Sequence, residues 1–303
     1  MTRLFYVLSC LLAIMFTPLL HGQANIAAEM EKSHTGGKYS SPYAVKFSFS
    51  RDELIGDMLS GRRGDPKDES SIPFHEWYSP KVRKEYGSWG PPVRHYPPPE
   101  GIHKRTVKWK QERVIATGLR FMGYDYQHHH VPDWNPPENW QWKEVGAGHN
   151  GKGLDCSNFT AFVYNLALGI KFTSDVKLQA ELTHVKVHGQ EKELRIERIE
   201  RPKTYEDFVR ELRTGDLLFL TRQNGEAFHV VIWVGAIGQS PDNMPLVLDS
   251  TGSSHIDACG ITIPQGIHLR PFTSKSNYFQ RTSHILRIII LCAVENSTLG
   301  FRF

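Results

Sequence analysis

A cysteine at the start of an amphipathic helix constrains this chain more than any other feature. The segment Leu154-Asp155-Cys156-Ser157-Asn158-Phe159 continues into an apolar run in which Phe159, Phe162, Val163 and Leu166 recur at helical spacing. Asp155 supplies an N-cap and Gly169 a stop, so the spacing predicts a helix that opens at Cys156. A thiol in that first turn meets the positive end of the helix dipole and unpaired backbone N–H groups, which favour the thiolate. Taken alone, a helical cysteine is usually a small buried hydrophobe. Here an N-cap Asp precedes it, and two strand-like runs follow, 216–220 and 229–234, the second led by His229. A histidine gives the thiol a proton acceptor. Further strands are expected at 246–248 and 285–291, with 260–263 as a fifth. A helix followed by antiparallel strands is an α+β plan.

These residues resemble a known family. Asp155-Cys156-Ser157, Gly215-Asp216-Leu217-Leu218-Phe219 and His229-Val230-Val231-Ile232-Trp233-Val234-Gly235 look like the three ordered signatures of NlpC-type cell-wall endopeptidases, papain-like cysteine peptidases. The resemblance covers roughly the second half of the chain. It implies a papain-like fold in which an N-terminal catalytic helix packs on a small antiparallel sheet. It also implies hydrolysis of peptide bonds in peptidoglycan stem peptides, typically between γ-D-glutamate and a diamino acid, through a thioester on Cys156. His229 is then the base, and Asp249, on the strand after it, holds the imidazole through Nδ1; His255 is a rival for that third role. Gly123-Tyr124-Asp125-Tyr126 is similar to the Gly-x-x-Tyr segment upstream of the family's nucleophile, which makes Tyr126 a substrate contact beside Asp155 and Ser157. The oxyanion is expected to lie on helix-start N–H groups, with the Tyr126 hydroxyl as a further donor. The chain departs from the family's pattern at Asn158, where Gly is usual, and at Asp249, where His, Asn or Gln is commoner. It departs again at Gln127-His128-His129-His130, which replaces a Gly-Gly. Two alternatives share the resemblance: an acyltransferase or deamidase on the same fold, and a non-catalytic wall-binding module.

The loop between Tyr126 and Cys156 is rich in His, Pro and Trp; Trp134, or else Trp140 or Trp142, is the candidate for a groove wall that packs on substrate, and an equal alternative is a loop anchored by buried aromatics. Three adjacent histidines cannot converge on one ion, and no Cys-x-x-Cys pair occurs, so neither a metal nor another cofactor is expected. A net charge of +4 without a basic patch interleaved with aromatics gives no reason to expect nucleic acid.

Residues 1–24 read as a signal peptide: a short positive start, an apolar run and small residues suited to cleavage. Export to the periplasm or beyond follows, with no stable membrane span after cleavage. Cys156, Cys259 and Cys292 then remain; the last two either pair or stay reduced and buried. Residues 25–100 read as an N-terminal extension ending in a Pro-rich linker, with one helix expected over 50–60. Residues 101–292 form the peptidase domain and 293–303 a tail. A helix is expected over 104–120, a solvent-edge hairpin strand over 194–200 and a helix over 205–212.

Overall fold

The computed structural model describes residues 39–61, 63–137, 140, 151–191 and 193–289. The expected signal peptide, Trp142, Cys292 and the tail lie outside them. An eight-stranded, wholly antiparallel sheet organises the described chain. Across it run β11 (Gly266–Pro271), β8 (Leu246–Thr251), β6 (Ala227–Trp233), β5 (Leu217–Thr221), β12 (Thr282–Ile288), β4 (Leu194–Glu200), β3 (His184–Val187) and β2 (Ile170–Lys171). Two short ladders stand apart, β1 (Ala44–Val45) with β7 (Gly238–Gln239), and β9 (His255–Ile256) with β10 (Thr262–Ile263). The expected small sheet is corrected here. The polar segment after the cysteine helix adds β2, β3 and β4; β4 forms a hairpin with β3 through Leu194 and Arg195 and pairs over 196–200 with β12, so it joins the main sheet and is open on the β3 side over most of its length.

The strands at the centre are apolar at successive positions because both faces of the sheet are covered. Along β5, Leu217 and Phe219 join one core while Leu218 joins the other; along β6, Val230 and Ile232 alternate in the same way with Val231 and Trp233. The larger core packs α3 (Val107–Leu119) and α4 (Cys156–Leu168) on the first face. The second face takes α6 (Tyr205–Glu211) through Phe208, together with Phe272. All thirteen residues of α4 are buried, which is why its apolar stripe is so broad. Gly169 closes it in the left-handed conformation, φ 70°.

The signature pair Gly215-Asp216 serves the sheet. Arg287 of β12 forks onto Asp216, Nε to Oδ1 at 2.9 Å and Nη2 to Oδ2 at 2.7 Å, and both side chains are almost wholly buried.

The expected extension packs as part of the same body. In α1 (Arg51–Leu59), Ser50 and Glu53 form a capping box, and Leu54, Ile55 and Met58 face inward while Leu59 stays exposed. Trp77, just before α2 (Pro80–Tyr86), and Tyr96 lie in the larger core with them. The proline run lies against the end of α4: the Tyr96 N–H donates to Asn165 Oδ1 at 3.0 Å, and Asn165 Nδ2 donates to the Arg94 carbonyl at 2.7 Å. Arg113 of α3 is buried and forks onto Asp57 of α1 at 2.8 and 2.7 Å.

Two stability predictions follow from these buried cations. Asp216→Ala leaves Arg287 without its main counter-charge and should cost about 3–5 kcal/mol in denaturant unfolding; a cost below about 1 kcal/mol would place the pair among weak surface bridges. A chain beginning at residue 101 strands Arg113 and opens the core under Trp77 and Tyr96. It should lose the cooperative thermal transition of the full protein, and retention of that transition at the same temperature would show the segment to be dispensable.

Candidate active site

Cys156 is the first residue of α4 and is buried, with 4% of its surface exposed. Asp155 fixes the helix start: its Oδ1 accepts from the N–H groups of Ser157 at 3.1 Å and Asn158 at 2.9 Å, and its Oδ2 accepts from Asn158 Nδ2 at 2.8 Å. Burial pushes the Asp155 carboxyl up, against the bonds from Asn158 and Ser157 and the nearby charge of His128. The Ser157 hydroxyl donates to the Ser174 carbonyl at 2.6 Å. Asp155 and Ser157, expected to touch substrate, are thus buried and bonded inside the protein. Because Asp155 takes two of the first N–H groups, the oxyanion expectation narrows to the Cys156 N–H, which meets no acceptor among the described residues.

The strap ahead of the helix brings Tyr126 to the same place. The Leu154 N–H donates to the Asp125 carbonyl at 3.2 Å, the Asp125 N–H to the Lys152 carbonyl at 3.1 Å, and the Ile267 N–H of β11 to the Tyr124 carbonyl at 2.9 Å. A side chain at Gly153 would meet the Asp125 carbonyl oxygen at 2.1 Å, so only glycine permits this approach. Tyr126 lies close enough to Cys156, Asp155 and Asp249 for their negative charge to add to burial in pushing its hydroxyl pKa up.

His229 stands on β6 and Asp249 on β8, an adjacent strand. His229 Nε2 lies 2.8 Å from Asp249 Oδ1, and Cys156 is close enough to the ring to help raise its pKa. The acid therefore engages Nε2, not the expected Nδ1, and Nδ1 is left for the thiol. Burial disfavours the charged ring, yet Asp249 and Cys156 outweigh it and hold the His229 pKa well above its ordinary value. Asp249 is fully buried and survives as a carboxylate because its charge is matched. Burial pushes it up, while His229, Arg270 and Tyr278 together hold it below the ordinary carboxylate range. Tyr278 of α7 (Asn277–Arg281) donates to Asp249 Oδ2 at 2.6 Å, and Arg270 Nε of β11 stands 3.6 Å from the same oxygen.

Tyr278 and Arg270 went unrecognised in the sequence. The alternation of Ile267 and Leu269 along β11 was the available signal for Arg270; for Tyr278, in a helix of five residues, there was none. The structure places other expected residues elsewhere. Trp134 is fully buried and packed edge-on against Trp140 and His129. The three histidines diverge: His128 stacks on Trp89 near Tyr126, while burial pulls His129 down to about 3 and His130 to about 4. His255 is exposed on β9. Cys259, expected in a pair or buried, is an exposed free thiol pushed up to about 11, chiefly by its bond to Asp242.

A cysteine at a helix start, an imidazole and a buried acid on one antiparallel sheet define a cysteine-histidine-acid site on an α+β scaffold. Residues 142–262, which span Cys156, His229 and Asp249, match the NlpC/P60 family. No curated protein matches the chain significantly. Among solved structures, the chain is similar to an NlpC/P60 family protein from Bacillus cereus at 18% identity and a TM-score of 0.35, covering 59% of this chain and 40% of that one. It is also similar to the NlpC/p60 domain of the peptidoglycan hydrolase SagA at 16% identity and a TM-score of 0.31, covering 59% of this chain and 98% of that one.

The pKa directions set a pH dependence. The raised value of His229 stabilises the fold fully below about 6.5 and ceases to do so as pH climbs through the raised value. The lowered value of Asp249 stabilises above about 3.9 and is lost as pH falls through the lowered value. Asp249→Asn leaves burial as the dominant influence on His229, so the ring should become neutral at pH 7. Alkylation of Cys156 by iodoacetamide, followed on its own peptide by mass spectrometry, should slow about tenfold or more. Tyr278→Phe should slow it only a few-fold. An Asp249→Asn rate profile that overlays the parent's would contradict this reading.

Proposed function

We propose that the protein is a cysteine peptidase of bacterial cell walls that hydrolyses amide bonds in peptidoglycan stem peptides. The observation that carries the proposal is the His229 ring beside Cys156, bonded on its far side to a fully buried Asp249. A degenerate wall-binding module has no need to bury a carboxylate behind a histidine, since such a group costs stability unless it is matched. The family match over residues 142–262 supports the peptidase class. In this reading the bond cleaved joins γ-D-glutamate to a diamino acid, and the site follows the papain-like plan.

In the reaction, the Cys156 thiolate adds to the acyl carbon, and the oxyanion that forms is held by the Cys156 N–H. Imidazolium His229 gives its Nδ1 proton to the departing amine as the C–N bond breaks, leaving a thioester. Neutral His229 then takes a proton from water as the hydroxide adds to the thioester, and the thiolate leaves with the ring charged again. Asp249 fixes the ring through Nε2 and compensates its charge throughout. Tyr126 borders the acyl side. Export fits a wall substrate. Among the described residues no helix is long and apolar enough to cross a membrane.

Purified muropeptides incubated with the mature protein should yield a fragment cut after D-glutamate, seen by mass spectrometry and absent with Cys156→Ala. If the parent releases no fragment while Cys156 is rapidly alkylated at neutral pH, the peptidase reading is wrong and an acyl-transfer or deamidation reaction takes its place.

A further inference from the structure

A cleft of about 220 Å³ opens beside the imidazole, lined by Phe228, His229, Asp249, His255, Asn277 and Arg281 among others. Cys156 is not part of its wall. In amide hydrolysis the acyl carbon sits at the sulfur, and the amine departs toward the imidazole that protonates it. A cleft that borders His229 but not Cys156 offers room for the part of the amine fragment that extends past the imidazole.

The charge of this cleft is lopsided. Asp249, at its base, is already matched by His229, Arg270 and Tyr278. Arg281 at the mouth is exposed, and its guanidinium meets no acid or hydrogen-bond acceptor among the described residues. It lies over the Phe228 ring at 5.6 Å, and Phe228 in turn lies near-parallel to His229 with ring centroids 6.2 Å apart. The guanidinium is thus held one ring beyond the imidazole. Arg222 shares the same phenyl ring at 5.5 Å but is offset by Glu226 at 3.8 Å. His255 adds no positive charge, because burial and Arg270 pull it toward its neutral form. The unmatched cation facing the leaving group is Arg281, and Asn277 beside it offers an amide donor.

We propose that this cleft is the leaving-group subsite and that Arg281 selects amines carrying a free carboxylate next to the departing nitrogen. The proposal rests on the peptidase reading above and goes further, naming the residue that recognises the amine fragment. A guanidinium recognises a carboxylate by charge and fork geometry, and a carboxamide offers it neither.

The test compares γ-D-glutamyl-lysine with γ-D-glutamyl-lysinamide, which differ only in that carboxylate. The parent enzyme should favour the free acid about tenfold in kcat/KM, the scale of one charge-assisted hydrogen bond. Arg281→Gln should bring the ratio close to one, and Arg281→Lys should keep part of it. A second readout needs no turnover: NMR titration of Cys156→Ala protein with lysine and with lysinamide should show tighter binding of lysine, lost when Arg281→Gln is added. Cleavage of both peptides with a ratio untouched by Arg281→Gln overturns the subsite and leaves the peptidase reading standing. Arg281-dependent lysine binding without cleavage of either peptide supports a carboxylate site at Arg281 and overturns both the peptidase reading and the leaving-group role built on it. Neither cleavage nor Arg281-dependent binding overturns both.

Discussion

The short bond between His229 Nε2 and the buried carboxylate of Asp249 is the contact on which the rest of the site depends. A carboxylate with no exposed surface is costly unless its lone pairs and charge are met. Three elements meet that need here: β6 brings His229, β11 brings Arg270, and α7 brings Tyr278. The acid thereby holds its charge, and that charge holds the imidazole protonated against its own burial. A charged ring beside Cys156 is what a thiolate requires. The chemistry proposed for this chain is thus a consequence of how three strands and one short helix are laid side by side.

The helix start supplies the second half of the arrangement, and here the structure separates roles that the signature had merged. Asp155 caps α4 and Ser157 ties it to Ser174, so both build the position of Cys156. The cap also takes the Ser157 and Asn158 N–H groups, which leaves the Cys156 N–H for an incoming oxygen. Asn158, where a glycine would be usual, donates its side-chain amide to Asp155. Its extra atoms thereby reinforce the cap.

How much of this could be read from the residues varied with the range of the forces involved. The cysteine helix was legible from Asp155 to Gly169 because caps and apolar period are local, and the strands carrying His229 and Asp249 were legible because a doubly covered strand is apolar throughout. The fold class followed from the same signals. What escaped was decided by distant packing. Arg270 and Tyr278 sit in a strand closed by Pro271 and in a helix of five residues, too short for a period to show. Residues 39–99 looked detachable because their helices are short and irregular, yet Trp77, Tyr96 and the Asp57–Arg113 pair bind them to the core. Trp134 was open to two readings, groove wall or buried loop anchor, because composition cannot say which face of a loop packs, and it is wholly buried. The polar run 194–200 is an edge over most of its length, yet residues 196–200 also pair with β12, a long-range contact its polarity did not reveal.

The most direct test of this account is an NMR titration of the His229 imidazole in the intact protein, with the ring nitrogens labelled. The account predicts that His229 stays charged well above about 6.5, the midpoint of an ordinary histidine, and that its Nε2 signal reports a strong bond to a carboxylate. A midpoint at or below that value would show that Asp249 does not outweigh burial, and the charged Cys156–His229 pair would have to be abandoned.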